Sequence, residues 1–322
     1  MGESFALEKI FPQHLRAGLR QNDWKEGLEE IRVRIGQPLE FSYDTGNRYL
    51  IKEGGTCSFF PWEEVYGKER EPYRICMADL AEMLNYISNY SLYAYSEEIK
   101  QGYITIEGGH RIGIAGGAVL EHGKIVGMQP VSFLNIRVAH EKIGCAKEIL
   151  PYIRHQGSIH NTLFLSLPGA GKTTYLRDSV RMLSEGTKEM PGMKICVVDE
   201  RSEIAACHKG VPQNHLGPRT DVLDGCTKAE GMLMMLRSMS PQVMAVDELG
   251  GERDFMAVEQ AVYSGSKILG TIHAGDMREL SEKPYLRRWM RKGVFQRYVL
   301  IVRKEEGERE TFVYNGNMER LC

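Results

Sequence analysis

The chain has 322 residues, of which 42% are hydrophobic and 26% are charged, and its formal net charge is -2. These values are ordinary for a globular protein of about two domains, and they exclude a mostly disordered or collagen-like chain. The near-zero net charge also disfavours nucleic acid as the default partner, because proteins that bind polyanions are usually far more basic.

The sequence pattern of residues 1–138 predicts a small α+β domain. Glu30–Phe41 alternates apolar with charged residues, which indicates a strand interrupted at Gln37-Pro38, and Tyr49–Ile51 is a candidate return strand. Met77–Tyr90 has apolar residues at helical spacing. The remaining strands, separated by Gly-Gly turn signals at 108–109 and 116–117, are Tyr103–Glu107, Arg111–Ala115 and Phe133–Val138.

Residues 139–322 predict an α/β domain with a parallel sheet. Ala146–Arg154 is expected to form a short helix, with Pro151 at its end or at a kink. Short apolar strands then alternate with helical segments, which is typical of a parallel sheet covered on both faces. These strands are Thr162–Leu167, Lys194–Val198, Val243–Val246 and Ile268–Ile272. Tyr298–Arg303 and Glu310–Tyr314 predict a closing hairpin.

The strongest local signal is a phosphate-binding loop at Ser166–Thr173, SLPGAGKT. An apolar strand precedes it and a helical segment follows it, which is the context that a P-loop requires. Ser166 stands where the usual pattern has glycine, at a position that mainly supports the turn out of the strand. The candidate nucleotide-binding residues of this segment are Pro168, Gly169, Ala170, Gly171, Lys172, Thr173 and Thr174.

The residue types of the loop suit the binding of ATP with Mg²⁺. Gly169 and Gly171 let the backbone bend so that successive N–H groups point at one phosphate. Lys172 would reach the β- and γ-phosphates, and the Thr173 hydroxyl would ligate Mg²⁺.

A second candidate element is Val243–Glu248, where an apolar strand delivers two carboxylates at its carboxyl end. Asp247 would hold the Mg²⁺ through water, and Glu248 would polarise the attacking water. The alternative is that the two acids merely cap the end of the strand.

A third element, Val197–Glu203, places another acidic cluster after an apolar strand. Parallel strands end at one edge of a sheet, so Asp199 and Glu200 could face the same Mg²⁺ and water. The alternative is a solvated loop in which Asp199 pairs with Arg201.

The fourth element, Gly270–Asp276, follows the next apolar strand. Thr271 or His273 could sense the γ-phosphate by hydrogen bonding. A lone histidine at the end of a strand is more often structural, but the three phosphate-type signals before it favour the sensor role.

The order of these four elements resembles the secretion ATPase superfamily, whose members power type II and type IV secretion and pilus motors. In that superfamily they are Walker A, Asp box, Walker B and His box, here Ser166–Thr173, Val198–Glu203, Val243–Glu248 and Thr271–His273. The resemblance implies a RecA-like P-loop ATPase domain after a smaller α+β domain. The superfamily's Walker B strand often ends in Gly-Glu, whereas this chain has Asp247-Glu248.

Longer phrases, among them HRIGIAGGAV, VVDERSEIA and GPRTDVLDG, resemble a sporulation-specific branch of the superfamily, with similarity from Glu30 to Ala274. This resemblance implies a hexameric, Mg²⁺-dependent ATPase at the inner face of a membrane in the mother cell. Its partners would be the membrane proteins of the channel that links the mother cell to the forespore.

Ring motors place nucleotide at subunit interfaces, where an arginine of the neighbouring subunit offsets charge on the transferred phosphoryl group. The candidates here are Arg111, Arg137, Arg219 and Arg253. Arg137 and Arg219 rank highest because they lie in phrases that match the family, although any single arginine is more often a structural ion-pair partner.

Two further features bear on location and partners. Seven dispersed cysteines without a CxxC pair suggest neither a zinc site nor a disulfide framework, and they fit a reducing cytoplasm. We expect no membrane-spanning helix and no secretory signal. The segment Met277–Lys304 carries nine Lys/Arg and two acids, which fits a solvated helix face or a surface for phosphate, an acidic partner or a membrane.

Three functions compete at this point. An ATP-hydrolysing secretion-type motor is favoured. A ring ATPase that remodels nucleic acid lacks support, because no stripe of aromatic and basic residues is found. A nucleotide-gated scaffold with little turnover is disfavoured because Lys172, Thr173, Asp247 and Glu248 are all retained.

Overall fold

In the computed structural model the chain forms two compact units, Met1–His140 and Glu141–Cys322. The structure describes residues 7–20, 23–53, 56–66, 71–88, 102–188, 190–282, 284–304 and 308–322. Over these ranges, no helix is long and apolar enough to cross a membrane. Each unit has its own seven-stranded sheet and its own hydrophobic core.

The first unit is an antiparallel sheet with short helices. Strands β1–β7 are Leu28–Arg34, Glu40–Tyr43, Gly46–Glu53, Thr56–Pro61, Tyr103–Thr105, Arg111–Glu121 and Lys124–Arg137. They lie in the order β4-β3-β2-β1-β7-β6-β5. A 3-10 helix spans Leu7–Ile10, and helices α1–α3 span Gln13–Arg20, Trp62–Tyr66 and Met77–Ile87. The predicted α+β character of this part of the chain is therefore observed.

One face of this sheet packs against the helices. Ile31 and Val33 of β1 are buried and Arg32 between them is exposed, so the alternation in sequence becomes an inner and an outer face. Leu15 of α1 and Met83 of α3 join the same core.

The glycine pair at 116–117 does not form the turn that the sequence predicts. Strand β6 continues through it to Glu121, and the chain turns at His122–Gly123, whose φ angles are 51° and 76°. A Cβ atom on Gly116 would lie 2.1 Å from the carbonyl oxygen of Pro130. The glycine therefore serves the close approach of two paired strands.

Two other predicted elements of the first unit change in extent. Glu30–Phe41 is two antiparallel strands, β1 and β2, because the chain turns around Gln37-Pro38. The helix predicted over Met77–Tyr90 ends at Ile87, where the backbone N–H of Ser88 donates to carbonyls of the last turn. Residues 89–90 lie outside the described residues.

The second unit is a mixed, mainly parallel sheet between two layers of helices and loops. Strands β8–β16 are Arg154–His155, Ser158–Ile159, Thr162–Ser166, Ile195–Asp199, Thr220–Asp224, Val243–Val246, Lys267–His273, Arg297–Arg303 and Arg309–Asn315. Helices α4–α9 are Leu150–Ile153, Lys172–Glu185, Lys228–Met239, Glu252–Tyr263, Met277–Glu282 and Pro284–Lys292. The large sheet has the order β12-β11-β13-β14-β10-β15-β16, and β8 pairs with β9.

Strands β10, β11 and β13 are buried along their whole length, as expected for parallel strands covered on both faces. All neighbouring pairs of the large sheet are parallel except β15 with β16. Parallel strands end at one edge, so the segments after β10, β11, β13 and β14 meet there. The predicted α/β class is confirmed, and the closing hairpin is β15–β16.

Two local features of this unit differ from expectation. Within Ala146–Arg154 only Leu150–Ile153 is α-helical, and Pro151 lies in the first turn, where its missing N–H costs no hydrogen bond. Strand β12, Thr220–Asp224, was not predicted, because its short polar sequence lacks the apolar run of its neighbours.

Candidate active site

The phosphate loop connects the end of β10 to the start of α5. Gly169 and Gly171 have φ angles of 76° and 110°, a region that glycine adopts without the strain of a side chain. Gly171 is also the residue immediately before the first turn of α5, so the positive end of that helix faces the loop. Pro168 is exposed and Ala170 is buried. The loop therefore has the backbone that an anion site requires.

The serine that replaces the usual first glycine is the last residue of β10. Ser166 is 1% exposed, and its hydroxyl donates to the carbonyl oxygen of Leu167 at 2.8 Å. The side chain thus satisfies its own polar group within the turn.

The loop meets the end of β13 through two hydroxyl groups. The Thr173 hydroxyl donates to Oδ2 of Asp247 at 2.7 Å. Oδ1 of Asp247 accepts from the Thr271 hydroxyl, which itself accepts the backbone N–H of Glu248 at 2.8 Å. Thr271 is completely buried. Its side chain orients the Asp247 carboxylate, which differs from the expected phosphate-sensing role of Thr271.

Glu248 is bonded by three basic side chains. Its Oε1 lies 3.3 Å from Nζ of Lys172 and 2.8 Å from Nε2 of His273. Its Oε2 accepts from Nη1 of Arg201 at 3.0 Å. Burial raises the pKa of Glu248, but the bonds to His273 and Lys172 outweigh it and hold the pKa below its usual value. Glu248 is therefore a carboxylate at neutral pH.

The backbone of Glu248 adopts a conformation that is uncommon for a residue with a side chain. Its φ angle is 52°, in the left-handed region. The backbone N–H of the next residue, Leu249, donates to the carbonyl of Thr271 at 2.9 Å and holds this turn against β14. Strain of this kind is concentrated at functional sites, where surrounding contacts maintain it.

Asp199 takes a different position from the one expected at the metal. It is 1% exposed, and its carboxylate accepts backbone N–H bonds from Glu203, Ile204 and Ala205 at 2.8–2.9 Å. Burial raises its pKa to about 6. The alternative pairing with Arg201 is also wrong, because Arg201 bonds Glu248. Asp199 organises the loop after β11.

We expect Asp199→Ala to destabilise the second unit by about 3 kcal/mol, because it leaves buried N–H groups without an acceptor. Asp199→Asn keeps one acceptor oxygen and should lose clearly less. Urea unfolding of both variants measures the difference. Equal stability of the wild type and the alanine variant would show that these three bonds do not hold the loop.

Glu200 lies beside the site in an ion pair with Lys228, the first residue of α6. Both residues line a small cleft together with Asp247 and Glu248. The structure therefore brings Glu200 to the predicted edge, but Lys228 occupies its carboxylate.

The candidate arginines are divided between the two units, with Arg111 and Arg137 in the first and Arg219 and Arg253 in the second. Arg219 is exposed and immediately precedes β12, so it lies at the amino edge of the sheet, opposite the phosphate loop. Arg137 is an exposed residue of β7 in the first unit. Arg111 lies over the ring of Tyr103 at 4.0 Å, and Arg253 is in the first turn of α7.

Sequence reasoning missed the role of two basic residues, Arg201 and Lys228. The position of Arg201 directly after the acidic pair Asp199-Glu200 could have indicated a role at the site. Its partner Glu248, however, is 47 positions away in the sequence. Lys228 has no local signal, because only the packing of α6 against β11 brings it to Glu200.

The order of strands in the second sheet and the loops that meet at its edge give this chain the fold of the secretion ATPases. Two solved structures share this fold and cover 92% of the chain. The ATPase DotB of Legionella pneumophila has a TM-score of 0.54 and 15% identity, over 78% of that chain. The pilus retraction motor PilT with bound ADP has a TM-score of 0.58 and 13% identity, over 81% of that chain.

The chain belongs to the family described as sporulation stage III, protein AA, which it matches over residues 5–321. It is 39% identical to stage III sporulation protein AA of Bacillus subtilis (strain 168) over 321 residues, which are 97% of this chain and 96% of that protein. The resemblance to a sporulation branch with the secretion ATPase fold is confirmed.

Proposed function

We propose that this chain binds ATP with Mg²⁺ at the edge of the second sheet and hydrolyses it, as a secretion-type motor of a sporulation channel. The observation that carries the proposal is a pair of contacts between the phosphate loop and the residues that directly follow β13. Lys172 contacts Glu248, and Thr173 contacts Asp247. Binding of ATP and release of phosphate by the purified chain test it. Binding without release would instead support the nucleotide-gated scaffold.

The donor set at the loop fits Mg²⁺. The Thr173 hydroxyl and the Asp247 carboxylate are 2.7 Å apart, and Mg²⁺ commonly takes one or two protein oxygens together with phosphate and water. Thr173 would bind the ion directly and Asp247 through water. When bound, the ion would neutralise charge on the β- and γ-phosphate oxygens.

The remaining steps use residues of this chain. When ATP binds, the Lys172 ammonium leaves the Glu248 carboxylate and contacts the β- and γ-phosphates, and the loop amides hold the phosphate in place. Glu248 then accepts a proton from the attacking water. Arg201 keeps the Glu248 carboxylate oriented during this exchange, because it bonds Oε2. His273 bonds Oε1 before ATP is present and would turn to the γ-phosphate when ATP is bound.

We further propose a hexameric ring in which an arginine of one subunit completes the site of the next. Arg137 and Arg219 are the leading candidates, since both are exposed and both lie in phrases that match the family. Arg219 lies at the amino edge of the second sheet, away from the phosphate loop of its own chain. The ring would work on the mother-cell side of a membrane, with the channel's membrane proteins as partners. Turnover that rises with assembly, measured as mass and phosphate release across concentration with Mg-ATP, supports interfacial sites.

His273→Ala should narrow the difference between the affinities for ATP and ADP and reduce basal hydrolysis less than Glu248→Gln does. The reason is the proposed hydrogen bond from His273 to the γ-phosphate, which ADP lacks. A hydrogen bond to a charged group is worth about 1.5–3 kcal/mol, so the difference between the two affinities should shrink roughly tenfold. Titration with both nucleotides measures it. If the variant keeps the affinity difference and supports sporulation, His273 is only a structural residue at the end of β14.

A further inference from the structure

A cation from the C-terminal hairpin contacts the outer side of the phosphate loop. Arg309 begins β16, and its Nε donates to the carbonyl oxygen of Ala170 at 2.8 Å. The contact joins residues 139 positions apart. None of the four sequence motifs includes this arginine.

The side chain also lies against the next residue of the loop. A Cβ atom on Gly171 would be 2.8 Å from Nε of Arg309 and 3.4 Å from its Cδ and Cζ. Gly171 therefore has two reasons to be glycine, namely its φ angle of 110° and the approach of the guanidinium group. The arginine and the loop backbone are packed directly against each other.

The hairpin is anchored where it can hold the loop. Strand β15 is the parallel neighbour of β10, the strand that leads into the loop. Strand β16 pairs with β15 in register, and Arg309 lies opposite Arg303. Lys304 closes the pairing, because its N–H donates to the carbonyl of Glu308 at 2.8 Å. The backbone of Arg309 is thus fixed relative to the start of the loop.

Among the described residues, no carboxylate forms an ion pair with Arg309. Within the described part of the chain its only side-chain hydrogen bond is the one to Ala170, and it forms no ion pair there. Its charge acts on Tyr175 in the first turn of α5, where it offsets part of the effect of burial, which raises the pKa of Tyr175. A second cation besides Lys172 therefore contacts the phosphate loop.

We propose that Arg309 is a positioning residue that braces the phosphate loop from outside and holds its amides in the conformation that binds the β-phosphate. The idea rests on the proposed nucleotide site. The brace acts on the loop itself, so it should serve ADP and ATP equally.

The test uses the full chain with Arg309→Ala, Arg309→Lys and the matched control Arg303→Ala. Arg303 is an exposed arginine of the same hairpin, directly opposite Arg309. The measurements are the Kd values for ADP and for ATP, and hydrogen exchange of the amides of residues 167–174 without nucleotide.

Arg309→Ala should raise both Kd values about tenfold, the lower end of what a bond from a charged donor is worth, and should speed exchange in the loop. Arg309→Lys keeps the charge and should recover part of the loss. Arg303→Ala should change neither quantity. If Arg309→Ala does not fold, Arg309→Lys alone tests the proposal. We then expect this variant to raise both Kd values about threefold.

Several results would overturn the brace. They are unchanged Kd and exchange in the Arg309 variants, the same losses in Arg303→Ala, and a loss confined to ATP, which would mean a γ-phosphate contact instead. A wild-type chain that binds no ADP would refute the nucleotide site, while the exchange measurement would still decide whether Arg309 holds the loop.

Discussion

Lys172→Ala should abolish useful ATP binding while the fold stays intact. The variant removes the cation that lies among the backbone donors of the loop, at the start of α5. Within the described ranges the side chain of Lys172 bonds only Glu248, which keeps its bonds to His273 and Arg201. Titration with a fluorescent ATP analogue should show at least a hundredfold weaker binding, which is about the loss expected for an ion pair of roughly 3 kcal/mol.

The matched control for this change is Lys194→Ala. Lys194 is an exposed lysine just before β11, at the amino edge of the same sheet. The control should bind nucleotide as the wild type does, and circular dichroism should show both variants folded. Unchanged affinity in folded Lys172→Ala would refute the assignment of the phosphate loop.

Glu248→Gln should keep ATP binding and reduce hydrolysis by about two orders of magnitude or more, the usual scale for a positioned general base. The amide can still accept a hydrogen bond from Arg201 or His273, but it cannot take a proton from water. The side chains have nearly the same size, and the left-handed backbone at this position is unaffected by the change. Single-turnover phosphate release separates binding from chemistry.

Glu200→Gln is the informative comparison for that experiment. Glu200 lines the same cleft but is paired with Lys228, so its variant should retain most of the turnover. Full turnover in Glu248→Gln with loss in Glu200→Gln would move the base to Glu200. If Glu248→Gln loses binding and turnover together, Glu248 has a structural role.

The sequence was sufficient to locate the candidate site because parallel strands that are distant in the chain end side by side at one edge of the sheet. Each of the four motifs follows an apolar strand, and the carboxyl ends of such strands share an edge. Ser166 is directly opposite His273 in the pairing of β10 with β14, although 107 positions separate them. The RecA-like fold and the meeting of Thr173, Asp247, Glu248 and His273 could therefore be predicted.

The partners of individual side chains could not be predicted in the same way. Asp199 looked like a metal ligand because its position was right, but its carboxylate points to three backbone amides of its own loop. Arg309 and Lys228 reach the site only through the packing of a hairpin and a helix. Spacing along the chain reports which strand ends meet, whereas the direction of a side chain depends on contacts from distant segments.

The ends of the second sheet limit how copies of the chain can join. In the described structure β12 and β16 are its terminal strands, where a strand from another molecule could add to the sheet. The last residues of the chain already cover part of the outer edge of β16, because the N–H of Val313 donates to the carbonyl of Cys322 and the N–H of Leu321 donates to the carbonyl of Val313. Strand β12 is only five residues long and carries Asp221 and Asp224, and β16 begins with Arg309 and Glu310. Short length and charge discourage such pairing. In the proposed ring, subunits should therefore associate through side chains of loops and helices, which can separate and rejoin without breaking a continuous backbone ladder.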